Sequence, residues 1–342
     1  MAASAAQDSA GNNSEAATQF SLTNDGTAPT VIITSSATDP VSGAFPITVT
    51  FSEAVTGFAI GDLTVGNGTA RNFVATSSSV YTATITPTAD GAVTLNVAAG
   101  AAQDTAGNVS AAATQFSLTN DGTAPPVAIT SSVTDPVSGA FPIIVTFSEA
   151  VSGFAIADLT VGNGTASNFV ATSSSVYTAT ITPATDGTVT VNVASGAAQD
   201  AAGNNSEVSS QFSLTNDGTP PTVSITSSAT APVSGAFPIT VTFSEAVSGF
   251  AIGDLAVGNG AASNFAATSG TTYTATITPT ADGAVTVDVA AGAAQDTAGN
   301  NSEASSQFSL ESDTTAPTLS ILVDTLEVSG PFTATFEFSE PV

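Results

Sequence analysis

The chain has 342 residues and a net charge of −27 at pH 7, set by 28 acidic residues against one basic residue, Arg71, and it contains no His, Cys or Trp. That balance repels phosphate backbones and anionic bilayers, so nucleic acid is excluded as a partner. The missing side chains also exclude Ser-His and Cys-His nucleophile systems and Schiff-base lysines. The charge is thinly spread, on 8% of residues beside 42% hydrophobic ones, a composition that builds a core rather than a solvated, disordered polymer.

Read from its start, the chain opens without a basic end followed by an apolar stretch, so Met1 to Gly11 carries no signal peptide. No apolar run reaches membrane-spanning length, and no membrane insertion is expected. An export address, if there is one, is expected outside this segment. Asp25-Gly26-Thr27-Ala28-Pro29 then returns unchanged at Asp121, as Asp-Gly-Thr-Pro-Pro at Asp217 and as Asp-Thr-Thr-Ala-Pro at Asp313, each start 96 residues after the last. A long fixed period marks an array of folded units. Three units are complete, 25–120, 121–216 and 217–312; residues 1–24 read as a loop and the final strand of a preceding unit and 313–342 as the first two strands of a divergent fourth. Both partial pieces are expected to be mobile.

Within the first unit the apolar residues alternate with period two, the pattern of a strand with one buried face. Val31/Ile33 predict a first strand, Ile47/Val49/Phe51 a second, Leu63/Val65 a third and the stretch around Phe73 a fourth. Tyr81/Ala83/Ile85, Val93/Leu95/Val97 and Phe116/Leu118 complete the series. About seven short strands in roughly a hundred residues, punctuated by Gly, Pro, Asn, Asp and Ser, predict an immunoglobulin-like sandwich. Phe51, Phe73, Tyr81 and Phe116 are assigned to its core. Asp62 falls where apolar parity shifts, a place for a bulge or tight turn, and Asp90-Gly91 reads as turn chemistry. The fold class is therefore all-β: tandem seven-stranded immunoglobulin-like β-sandwiches arranged head to tail.

The ordered set Phe51-Ser52-Glu53-Ala54-Val55, Gly57-Phe58-Ala59-Ile60-Gly61-Asp62-Leu63, Tyr81 to Pro87, Ala102-Gln103-Asp104-Thr105-Ala106-Gly107-Asn108 and Thr27-Ala28-Pro29 resembles the bacterial Ig-like repeats of large surface and biofilm-associated adhesins of the RTX type. The resemblance covers the three full units and both partial ones. In the last unit Ile321-Leu322-Val323-Asp324 and Leu326-Glu327 depart from the pattern, and Phe338-Ser339-Glu340 arrives one residue early. The resemblance implies an extended, exported scaffold at the cell surface, commonly holding calcium between or within its domains.

Carboxylates are the only chemistry on offer. In a seven-strand sandwich the leading segment and the loops after the second and sixth strands share one end. Asp25, Glu53, Asp104 and Asn108 should therefore converge, as should Asp121, Glu149, Asp200 and Asn204, then Asp217, Glu245, Asp296 and Asn300, and finally Asp313 and Glu340. Oxygen donors without a neutralising cation suit Ca²⁺, which accepts six to eight oxygens in flexible geometry, better than Mg²⁺ or zinc. The alternative reading makes Asp25 and Asp104 turn and capping residues and Glu53 a solvated loop charge. The opposite pole carries Asp39 and the Asp90-Gly91 turn, and head-to-tail order brings Asp90 near the junction with the next unit; Asp62 and Asp90 are nevertheless left out of the metal set.

The only catalytic machinery left is a glycosidase-like carboxylate pair, and it would have to recur in every copy. No enzyme is expected. Two functions remain: a non-enzymatic spacer, or stalk, in an exported bacterial adhesin or biofilm matrix protein, and an array of carbohydrate- or protein-binding modules acting multivalently. Near-identical loops such as Val65-Gly66-Asn67-Gly68-Thr69 and Val161-Gly162-Asn163-Gly164-Thr165 favour the spacer. Its partners are then the neighbouring units of a longer chain, with any host or matrix ligand bound by domains elsewhere.

Overall fold

The computed structural model describes residues 2–323, 327 and 329–342; Asp324 and Leu326 of the divergent stretch lie outside the described residues. In the first repeat the strands are β1 (Val31–Thr34), β2 (Phe45–Phe51), β3 (Leu63–Gly66), β4 (Gly68–Ala75), β5 (Val80–Pro87), β6 (Gly91–Val97) and β7 (Phe116–Asn120). They form a four-stranded sheet ordered β1-β2-β5-β4 and a three-stranded sheet ordered β3-β6-β7. The strands β8 to β14, between Val127 and Asn216, and β15 to β21, between Val223 and Ser312, repeat both sheets with the same orders.

The alternation in sequence sets the burial. On β2, Phe45, Ile47, Val49 and Phe51 are buried; the first three stand opposite Ile85, Ala83 and Tyr81 of β5, and Phe51 stands opposite Val31 of β1, all in antiparallel register. Val93, Leu95 and Val97 of β6 close the core from the other sheet. Burying a side chain such as Leu95 or Ile85 contributes about 1.5–3 kcal/mol each. Phe73 and Phe116, expected in the core, pack against it half-buried.

Two local features keep the strands in place. Pro46 lies within β2 but beyond the end of β1, whose pairing stops at Thr34↔Thr48, so its missing N–H costs that ladder nothing; its carbonyl accepts from the Ser35 hydroxyl at 2.6 Å. In β4 the register shifts between Arg71 and Val74, and Asn72 takes a positive φ of 51° there, the geometry of a bulge. The parity shift at Asp62 proves to be a single 3-10 turn, Ile60–Asp62, with the Asp62 carboxylate accepting from the Ala59 N–H at 2.8 Å.

By contact density the chain divides into two compact units, Met1–Val127 with Phe147–Phe154 and Ser195–Val208, and Ala128–Thr146 with Ala155–Ala194 and Ser209–Val342. The first holds the whole of the first sandwich and the second the whole of the third, each around its own buried core.

The partial ends differ from the sequence expectation in one respect. Phe20 to Asn24 has the same sequence as β7, yet it forms no strand, and Phe20 and Leu22 are 83% and 81% exposed. The reason is pairing: β7 is held by β6, and residues 1–24 contain no counterpart of β6. At the other end β22 (Leu319–Val323) pairs antiparallel with β23 (Ala334–Phe338), the expected first two strands of a further unit.

Candidate metal centre

Three segments build the pole where the carboxylates meet. The leading segment is tied to the end of β2, with Ser52 N–H donating to Thr30 C=O at 2.9 Å and Thr30 N–H to the Ser52 hydroxyl at 3.1 Å. The β2–β3 loop is tied to the β6–β7 loop by a reciprocal pair, Thr56 N–H to Gln103 C=O at 2.7 Å and Gln103 N–H to Thr56 C=O at 3.0 Å. Beneath the β2–β3 loop lies an aromatic cluster. Phe58 meets Phe51 and Tyr81 edge-on at 5.1 and 5.0 Å, and Phe73 stacks on Tyr81 at 5.7 Å. Such contacts lock loop position as well as filling volume.

The β6–β7 loop is folded by its own aspartate. Asp104 Oδ1 accepts from the N–H groups of Ala106 and Asn108 at 2.8 and 2.9 Å, and Oδ2 accepts from Asn108 Nδ2 at 2.7 Å. Gly107 supplies the positive φ, 94°, that the turn requires. The buried Ser110 hydroxyl accepts from Ala102 N–H at 3.2 Å and fixes the base of the loop. Asn108 Nδ2 also reaches the Asp25 carbonyl at 3.1 Å. Asp104 is thus a turn-former whose carboxylate also faces the other two acids. Asp8 organises the same loop in the leading piece, accepting from Ala10 and Asn12 N–H.

Asp25, Glu53 and Asp104 each offer an oxygen, and these oxygens lie within 4.8 Å of one another; Asp121, Glu149 and Asp200 do the same, as do Asp217, Glu245 and Asp296. Asp104, Asp200 and Asp296 are buried. The glutamate registers the crowding. Burial first, then the charges of Asp121 and Asp200, raises the Glu149 pKa, and Glu53 and Glu245 shift the same way for the same reasons. Asp104 moves down, held ionised chiefly by its Asn108 hydrogen bond. Asn108, Asn204 and Asn300 stand beside the carboxylates, each amide N–H bridging the loop aspartate to the linker carbonyl. Asp313 and Glu340 line one cavity together with Asp282, and burial, the Asp313 charge and a hydrogen bond to Asp313 raise the Glu340 pKa.

The donor set is all oxygen, and the chain has no His or Cys to compete. It therefore fits a hard divalent cation. The sequence placed Asp90 near the following junction but did not reveal that it bonds the linker there. It sits at the opposite pole of its sandwich, yet accepts from Gly122 N–H and the Thr123 hydroxyl of the following linker. The signals that pointed there were head-to-tail order and the recurrence of an acid at Asp186 and Asp282.

Comparisons with known proteins place this architecture. The family model described as bacterial Ig-like domain matches residues 25–119, 121–215 and 217–311. Among solved structures, invasin, described as a bacterial integrin-binding protein, aligns over 92% of this chain and 68% of its own at 17% identity and a TM-score of 0.37. A tetra-tandem repeat from the extending region of a large adhesion protein aligns over 91% and 88% at 16% identity and a TM-score of 0.26. InvD of Yersinia pseudotuberculosis aligns over 84% and 98% at 16% identity and a TM-score of 0.37. A comparison with curated proteins gave no match. With three consecutive matches spanning most of its length, the chain belongs to the bacterial Ig-like domain family.

Proposed function

We propose that this chain is a non-enzymatic spacer in an exported bacterial surface adhesin or biofilm matrix protein, and that calcium binds at the leading pole of each repeat. Each full repeat is one domain of the spacer, residues 1–24 belong to a preceding unit and residues 313–342 to a divergent following one. The observation that carries the reading is the threefold recurrence of one Asp-Glu-Asp group, its oxygens within 4.8 Å, in a chain whose single basic side chain, Arg71, lies in β4 of the first repeat.

The chemistry follows from the groups present. Asp121, Glu149 and Asp200 would hold the cation in the second repeat, with Asn204 keeping Asp200 and the Asp121 carbonyl in register. The cation supplies positive charge that removes the repulsion among three carboxylates and ties the leading linker to two loops. Extracellular modules bind calcium at about 10⁻⁴ to 10⁻³ M, which suits loading outside the cell.

A thermal melt of the chain with calcium, with magnesium and with chelator tests the proposal. A ligand that binds only the folded state adds about 4 kcal/mol at a thousandfold excess over its dissociation constant, so a rise specific to calcium is expected. Identical melts in calcium and chelator would overturn the cation. Saturable binding of a glycan by one isolated repeat on an array would overturn the spacer in favour of a binding array.

A further inference from the structure

The acidic turn before β6 does more than turn the chain. Asp90 Oδ1 accepts from Gly122 N–H at 2.7 Å and from Asn120 Nδ2 at 3.1 Å, and Oδ2 accepts from the Thr123 hydroxyl at 2.5 Å. Asp186 makes the same three bonds to Gly218, Asn216 and Thr219 at 2.7, 3.1 and 2.5 Å. At the third linker, glycine is replaced by Thr314, and Asp282 accepts from its N–H at 2.6 Å, from its hydroxyl at 2.7 Å and from the Thr315 hydroxyl.

The aspartate that opens each linker is held from both directions. Asp121 N–H donates to Val41 C=O of the repeat before it at 2.9 Å, and its own carbonyl accepts from Asn204 of the repeat after it at 2.8 Å. Asp217 does the same with Val137 and Asn300 at 2.8 and 2.7 Å. Asn120 and Asn216, both 7% exposed, commit their Nδ2 groups to this pole and leave Oδ1 buried without a partner. A buried acceptor left unpaired carries a cost, which the amide bears while it is turned towards the aspartate. The glycines matter too: a Cβ on Gly122 or Gly218 would meet the aspartate Oδ1 at 3.4 or 3.3 Å, so a bare backbone allows the close approach.

The first cluster provides a contrast inside the same chain. Asp25 has its carbonyl engaged by Asn108, but among the described residues no preceding turn bonds to Gly26 or Thr27. Asp25 is exposed where Asp121 and Asp217 are half-buried.

We infer that Asp90, Asp186 and Asp282 are linker locks, positioning residues by which each repeat fixes the linker that follows it and so presents Asp121, Asp217 or Asp313 to the carboxylates of the next repeat. The presentation half rests on the cation reading above; the lock itself does not. Coupling then runs one way along the chain, from a repeat to its successor. Groups that hold a ligating residue in place change metal affinity by about 10- to 100-fold when removed.

Amide exchange by NMR in chelator tests the lock without any cation. In the parent chain Gly122 and Gly218 should exchange at least about tenfold more slowly than Gly26, because a buried or bonded amide must open first. Asp186→Ala should release Gly218 alone, and Thr219→Val, which keeps the Gly218 bond, should release it less. Gly218 exchanging as fast as Gly26 in the parent, or staying protected in Asp186→Ala, would overturn the lock. Calorimetric titration with calcium tests the presentation. The parent should show one weaker and two tighter sites, and Asp186→Ala should weaken one site about tenfold, with Asp186→Asn recovering part of it. Three equal sites unchanged by Asp186→Ala would overturn the positioning role. A parent chain that binds no calcium would overturn the cation reading, and the lock then stands or falls on amide exchange.

Discussion

Replacing the clustered glutamates by glutamine should change the sign of its effect with the cation. In the second repeat the oxygens of Asp121, Glu149 and Asp200 lie within 4.8 Å. Two unit charges at that distance repel by about 0.9 kcal/mol in a water-like dielectric. Glu149 faces two such neighbours, about 2 kcal/mol in all, and its contact with solvent and salt leaves about 1 kcal/mol. Glu149→Gln removes that repulsion while keeping the shape, so in chelator the second repeat should gain about 1 kcal/mol, roughly 4–8 °C in Tm for a domain of this size. With saturating calcium the same change removes one ligand and forfeits most of the stabilisation binding confers, about 4 kcal/mol at a thousandfold excess. Because the repeats are near-copies and melt close together, the cleaner variant carries Glu53→Gln, Glu149→Gln and Glu245→Gln together. Scanning calorimetry in chelator and in calcium reads both signs. A triple variant melting below the parent in chelator would refute the repulsion argument, and one melting above it in both conditions would refute the cation.

Acid should act on the metal-free chain in two stages. The folded pKa of Glu149 lies above its ordinary 4.5, so the fold binds that proton more readily than the unfolded chain, and stability should rise as pH falls from neutral through the raised value. Asp282 is lowered from 3.8 to about 2, so the stability it contributes is present above 3.8 and should be lost as pH falls towards 2; denaturant melts across this range would show a maximum, and a monotonic decline from neutral pH would contradict it. Ser206→Ala leaves the Ala198 N–H without its partner hydroxyl at 3.2 Å, a loss of about 1–3 kcal/mol that should appear in urea melts and weaken calcium binding at the second repeat; an unchanged midpoint would remove the loop's anchor from the account. Trypsin can cut only after Arg71, which is paired with Thr84 inside β4. Gels should show an intact chain when folded and two fragments when heated, and rapid cutting of the native protein would contradict the pairing of β4.

Much of this fold was legible because its information is local. Period-two alternation marks Ile47, Val49 and Phe51 whatever surrounds them, and all seven strands fall where the alternation places them. The convergence of Asp25, Glu53 and Asp104 was legible one step further on, since sandwich topology fixes which loops share an end. Asp90 was legible as a neighbour of the next junction but not as a partner of the linker. An Asp-Gly pair is already explained by its turn, and nothing in the sequence connects residue 90 with the hydroxyl of Thr123, 33 positions away. Phe20 to Asn24 illustrates the converse limit. Its pattern is that of β7, but a strand is a property of two segments, and residues 1–24 hold one of them.

The positions of β1 and β7 determine how a repeat meets a pull. Tension along the chain arrives at Val31 and leaves at Asn120, the outer ends of strands in different sheets. Ladder bonds run across the strands, so load directed along β1 or β7 strains the bonds to β2 and β6 sideways and together instead of opening them one after another. At the exit the Val41↔Asn120 bridge is parallel, with Val41 N–H on Thr119 C=O and Asp121 N–H on Val41 C=O; it too would have to slide rather than peel. A domain wired in this way resists being drawn out by its ends for a reason separate from its melting temperature.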